Sequence, residues 1–212
     1  MNPNFKISID KSVVSEMPRV TFGGDVYVID TMLKVNAAVA ILRKSPIVGF
    51  DSETRPAFRK GQSHKVALLQ LSTHDECFLF RTNKIGVPLS LAEYLADNRC
   101  LKIGLSLHDD FNQLHKISNL KPAGFVDLQT IVGDYHIADI SLQKIYAILF
   151  QQKISKGQRL TNWEADTLTE AQQQYAAIDA WACIRIYEYL KSGNYKPENS
   201  PYIAQSEHET SE

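Results

Sequence analysis

Apolar positions along this chain fall into two periods, and the alternation between them sketches most of the fold. Val26 to Ile29, Ile47 to Phe50, Val66 to Ser72, Cys77 to Phe80 and Cys100 to Leu105 are short β-type runs, broken in the third only by Gln70. Between the first two runs, Met32, Val35, Val39 and Leu42 recur at helical spacing. Asp30 or Thr31 can cap that helix, and Ser45-Pro46 ends it because the residue before proline is pushed out of the helical region. Only Thr73-His74-Asp75-Glu76 separates the third and fourth runs, which predicts a hairpin. Coming straight after the Ile47 strand, that hairpin makes a three-strand antiparallel meander.

The second half reads as more helical. Pro88-Leu89-Ser90 opens a helix carrying Leu91, Tyr94 and Leu95, and another begins after Ser106 with Phe111, Leu114 and Ile117 on one face. Helix is expected over Val126 to Tyr135 and again from Ser141-Leu142 through Ile145, Ile148 and Leu149. Lys153 to Trp163 is a polar, basic connector in which Trp163 reads as a packing anchor. Thr169 with Gln172 three residues on is a capping box for a last long helix ending near Lys191. The expected organisation is one α/β domain over 25–192, an arm over 1–24, and a polar, acidic, disordered tail over 193–212.

Length and charge narrow the partners. The chain has 212 residues, 44% of them hydrophobic, enough for one substantial core, and a formal net charge of −1. With no overall positive field, a polyanion must be held by local basic patches or through metal. Cys77, Cys100 and Cys183 are far apart in apolar surroundings and read as buried thiols of a reducing compartment. No charged leader with an apolar run opens the chain, and no stretch of about 18 apolar residues occurs, so a cytoplasmic protein without a membrane partner is expected.

Candidate chemistry sits where the apolar runs end. Asp51 and Glu53 alternate at the C-terminal end of the Ile47 strand and so share a face. Like charges at the edge of an apolar core repel and lose hydration, which favours a proton or a cation between them. Oxygen donors without Cys or His beside them suit a hard ion such as Mg²⁺ or Mn²⁺. The loop that follows, 55–65, holds Arg55, Phe58, Arg59, Lys60, His64 and Lys65, a composition able to grip phosphate. Asp109 and Asp110 open the helix after Ser106. Tyr175 and Asp179 stack one turn apart among small alanines in the last helix, where a buried carboxylate is costly unless a cation faces it.

Taken together, Phe50-Asp51-Ser52-Glu53-Thr54, Gly104-Leu105-Ser106-Leu107-His108-Asp109-Asp110 and Tyr175-Ala176-Ala177-Ile178-Asp179 follow the three motifs of a known family. In that order and spacing, over roughly residues 25–192, the chain resembles the DEDD 3′-to-5′ exonucleases with a tyrosine in the third motif. Ser141-Leu142 and Asn162-Trp163 are similar to the ribonuclease D and Werner exonuclease branch. The resemblance implies a ribonuclease H-like fold, with a mixed central sheet of an antiparallel meander plus parallel strands flanked by helices. It implies catalysis by Asp51, Glu53, Asp110, Tyr175 and Asp179. The four carboxylates would hold two divalent cations, Mg²⁺ or Mn²⁺, and a single-stranded or 3′-overhang DNA or RNA would be the substrate. Spacing from Gly104 selects Asp110 over Asp109. Gln70, Arg59 and Lys60 are candidate substrate contacts. A catalytically silent binding module of the same fold, and RNA trimming in the manner of ribonuclease D, are the alternatives.

Overall fold

The structure, a computed structural model, describes residues 5–59, 61–62 and 64–204. In chain order its elements are β1 (Lys6–Ile7), α1 (Lys11–Glu16), β2 (Asp25–Ile29), α2 (Met32–Leu42), β3 (Ile47–Thr54), β4 (Val66–Ser72) and β5 (Glu76–Phe80). They continue with α3 (Thr82–Ile85), α4 (Leu89–Leu95), β6 (Leu101–Gly104), α5 (Leu107–Leu114), β7 (Phe125–Asp127), α6 (Leu142–Phe150), α7 (Glu170–Lys191) and β8 (Ile203–Ala204).

Six strands form one mixed sheet in the order β2-β5-β4-β3-β6-β7. The expected meander is its centre: β3 pairs antiparallel with β4, and β4 with β5. Parallel strands flank it, β2 on β5 and β6 then β7 on β3. Each face of the sheet has its own core. Leu68, Leu79 and Ala67 pack with α6, α7 and Trp163, while Leu69, Leu71, Phe78 and Phe80 pack with α2 and α4. From Leu68 onward β4 alternates between the two layers, as the two-residue period requires, while Ala67, at the register shift opposite Glu53 and Thr54, shares the layer of Leu68. Thr31 caps α2 by accepting the backbone N–H of Lys34, and the capping box of Thr169 and Gln172 opens α7 in full.

Two expectations need correction. The helix expected over Val126 to Tyr135 is instead strand β7 followed by two 3-10 turns, Leu128–Thr130 and Val132–Tyr135. Three half-buried residues are too few to show a period of two, and the Asp127 carboxylate turns the chain by accepting the N–H of Gln129 at 2.9 Å. Within the tail, residues 193–204 carry a 3-10 turn, Pro197–Asn199, and strand β8, and 205–212 lie outside the described residues. Ile7 and Ile9 of the arm are buried in the core, so β1 offers the tail an edge to pair with. Tyr195 and Tyr202 add apolar contact that the acidic composition of the tail obscures.

The placement of α7 decides the geometry of everything that follows. A Cβ at Gly49 of β3 would stand 1.8 Å from the carbonyl oxygen of Ala180, so helix backbone and strand backbone touch there. Gly49→Ala is expected to force α7 off the sheet and lower stability by about 1–3 kcal/mol, as overpacked cores do. Urea denaturation of the variant beside the unaltered protein checks this.

Candidate active site

Four carboxylates converge because three elements meet at the C-terminal end of β3. Asp51 and Glu53 emerge on the face that α7 covers, and the Gly49–Ala180 contact brings Asp179 down onto them. Ligand oxygens of Asp51, Glu53 and Asp179 all lie within 4.8 Å of one another. Asp110, in the first turn of α5, joins them through the Ser52 hydroxyl, which donates to Asp110 Oδ1. Asp109 is exposed, whereas Asp110, the residue expected from the spacing after Gly104, is half-buried and accepts the Ser52 hydroxyl.

The start of α5 is itself held in place. Ser106 adopts a left-handed conformation, φ 64°, and the N–H groups of Ser106 and Leu107 donate to the two Asp127 carboxylate oxygens at 3.0 and 2.9 Å. One carboxylate on the edge strand thus satisfies two N–H groups where α5 begins, favoured there by the helix dipole. Neither Asp127 nor Ser52 was legible as a site residue, since their roles exist only across strands.

Electrostatics at the cluster are those of crowded, dehydrated acids. Burial, then the charges of Asp110, Asp179 and Glu53, raises the Asp51 pKa well above the usual carboxylate range. Burial, then Asp179 and Asp110, takes Glu53 up to about 9. Burial lifts Asp110 to about 7, against the opposing Ser52 hydrogen bond, and lifts Asp179 to about 7. Such a set binds protons or a cation, and with oxygen donors alone the cation it fits is a hard divalent one. The positive charge of Arg159, on the connector, works against these effects and lowers the Glu53 pKa. In sequence, nothing distinguishes Arg159 from Lys153 and Lys156 of the same basic segment.

Tyr175 lies one turn before Asp179 on α7 and is 9% exposed. Burial, then the charges of Asp179 and Glu53, raises its phenol pKa, so the hydroxyl keeps its proton at neutral pH. Trp163 is fully buried with its ring 6.0 Å from that of Tyr175, in keeping with a packing anchor. The loop carrying Trp163 is tied down from α3: Arg81 donates to the carbonyls of Ala165 and Asp166, and Lys84 Nζ to Asp166 at 2.6 Å.

The candidate substrate contacts fare differently. Gln70 is 0% exposed and pairs in register with Asp51 on a strand covered on both faces, so it cannot touch a substrate strand. Neither of its amide atoms has a hydrogen-bond partner among the described residues. Arg59 is exposed on the loop that leaves β3 after Thr54, beside Phe58, which is 80% exposed. Lys60 lies outside the described residues.

Comparison with known proteins agrees with this architecture. Residues 26–193 match the family model described as 3'-5' exonuclease. The chain is 28% identical over 196 residues to the bifunctional 3'-5' exonuclease/ATP-dependent helicase WRN of Mus musculus, covering 87% of this chain and 14% of that protein. It is 29% identical over 192 residues to a 3'-5' exonuclease of Arabidopsis thaliana, covering 82% of this chain and 66% of the relative. The chain thus spans less than two thirds of the length of these two relatives. The Aedes aegypti Nibbler EXO domain superposes with a TM-score of 0.71 at 22% identity, over 84% of this chain and 96% of that one, which shows a shared fold. With three motifs assembled on a ribonuclease H-like sheet and a family match spanning most of its length, the chain belongs to the 3′-5′ exonuclease domain family.

Proposed function

We propose that this chain releases nucleoside 5′-monophosphates from the 3′ end of a nucleic acid by metal-assisted hydrolysis. The observation that carries this is the convergence of Asp51, Glu53 and Asp179 within 4.8 Å, with Asp110 tied to the same strand through Ser52. Asp51, central in the set, would contact two divalent ions, Mg²⁺ or Mn²⁺, with Glu53 and Asp179 on the first and Asp110 on the second. The chemistry such ions would supply, if bound by these carboxylates, is activation of a water and offset of charge on the attacking and leaving oxygens of an in-line phosphoryl displacement. Tyr175, protonated at neutral pH, donates a hydrogen bond that orients the attacking water and does not act as its base. Trp163 and the Arg81 latch keep that phenol in place. The intact set of four carboxylates and a tyrosine speaks against a silent binding module.

The substrate we infer is a single-stranded or 3′-overhang DNA or RNA; carboxylates acting on phosphate are indifferent to the sugar, so trimming of RNA fits the same residues. A reducing, cytoplasmic setting suits three thiols that are all buried and unpaired. Incubation with 3′-labelled and 5′-labelled DNA and RNA strands, with and without EDTA, tests the reading. Metal-dependent release of labelled mononucleotide from the 3′ end first is expected; release from the 5′ end, or activity in EDTA, overturns it. Exposed on the loop that follows β3, Arg59 and Phe58 would meet a phosphate and a base near the 3′ end. Arg59→Gln is expected to raise KM severalfold and lower its salt dependence with kcat little changed, read from steady-state kinetics at several salt concentrations.

A further inference from the structure

A second charged feature lies outside the carboxylate cluster. Between α1, the start of α6 and the connector is a cleft of about 340 Å³ whose lining includes Lys11, Arg19, Lys144, Lys153 and Lys156 and no carboxylate. In a chain of net charge −1, five cations around one cleft are a marked local excess. They come from separate segments, so the cluster is made by folding and is no run of lysines. The arm is pinned to the connector to form it: Val20 N donates to Lys153 O at 3.1 Å and Lys153 N to Pro18 O at 2.9 Å.

Not all five charges are equally available. Lys144 is paired with Asp139 at 2.6 Å, and Lys153 donates to the Ser15 carbonyl. Lys11, Arg19 and Lys156 are exposed and form no ion pair among the described residues. Ser141 and Gln143 bring the start of α6 to the same cleft, and no side chain caps that helix. Unused N–H groups and cations facing one space are a site for anions.

The connector that lines the cleft runs on to the active-site helix. Arg159 N donates to Lys156 O at 3.2 Å, Gln172 of α7 donates its amide to Thr161 Oγ1 at 3.0 Å, and the Trp163 ring lies 6.0 Å from that of Tyr175. We propose that this cleft binds the phosphodiester backbone of a single strand upstream of the terminal nucleotide, with Lys11, Arg19 and Lys156 as its phosphate contacts. The inference rests on the exonuclease reading for the direction of the strand, 3′ end at the carboxylates and upstream residues in the cleft. It gives the N-terminal arm a part in substrate binding that its sequence does not reveal.

The test is equilibrium binding in EDTA, by fluorescence anisotropy, of single strands of about three and about twelve nucleotides, in DNA and RNA. In a Lys11→Gln/Arg19→Gln/Lys156→Gln variant of the full chain, affinity for the longer strand is expected to fall about tenfold or more. The slope of log affinity against log salt should drop by about 2, since each single-strand phosphate contact contributes about 0.7. The shorter strand should bind as before, and DNA and RNA should lose alike. Unchanged affinity and slope for the longer strand, a loss confined to RNA, or failure of the unaltered protein to bind that strand overturns the cleft. If the variant loses binding while the unaltered protein shows no metal-dependent hydrolysis, the cleft stands and the exonuclease reading fails.

Discussion

Asp179→Asn is expected to abolish nucleotide release while making the metal-free protein more stable. Asp179 is 7% exposed and crowded against Asp51 and Glu53, so its carboxylate is costly to the fold by itself. Replacing it with the amide removes a repelling charge at nearly constant shape. The same exchange removes a carboxylate oxygen from the set proposed to hold metal. Loss of one electrostatic stabiliser of the transition state costs about 10²–10³ in rate, and loss of a metal ligand should cost at least that. Asp51→Asn should behave alike, whereas Tyr175→Phe, which removes only the group that orients water, should leave a measurable remnant. Single-turnover release of a 3′-terminal nucleotide, read beside thermal melting in EDTA, checks both halves. A variant that loses stability and keeps activity would place Asp179 in the architecture alone.

The second large effect is a pH dependence opposite to that of ordinary salt-bridged acids. Glu53 is raised from 4.5 to about 9, and Asp110 and Asp179 from 3.8 to about 7. A carboxylate with a raised folded-state pKa binds more protons folded than unfolded between the two values. Its contribution to stability is therefore complete below the unfolded pKa and disappears as pH climbs through the folded one. In EDTA the protein should lose stability steadily from about pH 4.5 to about pH 9. A loss of about 3 kcal/mol over that window lowers Tm by on the order of 6–12 °C in a chain of this size. Mg²⁺ or Mn²⁺ should restore stability most at the alkaline end, by about 2.7 kcal/mol at a hundred times its Kd. Melting curves from pH 5 to 9 with EDTA or Mn²⁺ check the sign. A Tm that rises with pH in EDTA, or an Mn²⁺ effect independent of pH, would contradict the electrostatic account.

Much of this was readable from the chain, for identifiable reasons. The meander and the long helix α7 announced themselves because their apolar periods run for many residues and their ends carry proline or a capping box. Asp51, Glu53 and Asp179 stood out because charge interrupts apolar patterns there. What escaped was set by contacts between distant segments. Strand β7 is three residues long, and its Asp127 works by receiving N–H groups from the turn after β6. The arm and tail order each other through β1 and β8, a pairing that neither segment's composition signals. Gln70 was legible as a polar residue in an apolar run, but only the register opposite Asp51 shows that it is enclosed. The basic cleft gathers residues from three parts of the chain, none conspicuous alone.

Asp51, Glu53, Asp110 and Asp179 are expected to gather two divalent ions beside a 3′ end. Counting bound Mn²⁺ by electron paramagnetic resonance, in the presence of a nucleoside 5′-monophosphate, addresses it directly. Two ions per chain in the unaltered protein, and fewer in Asp51→Asn and Asp179→Asn, is the predicted result. No stoichiometric Mn²⁺, or the same count in all three proteins, would contradict it.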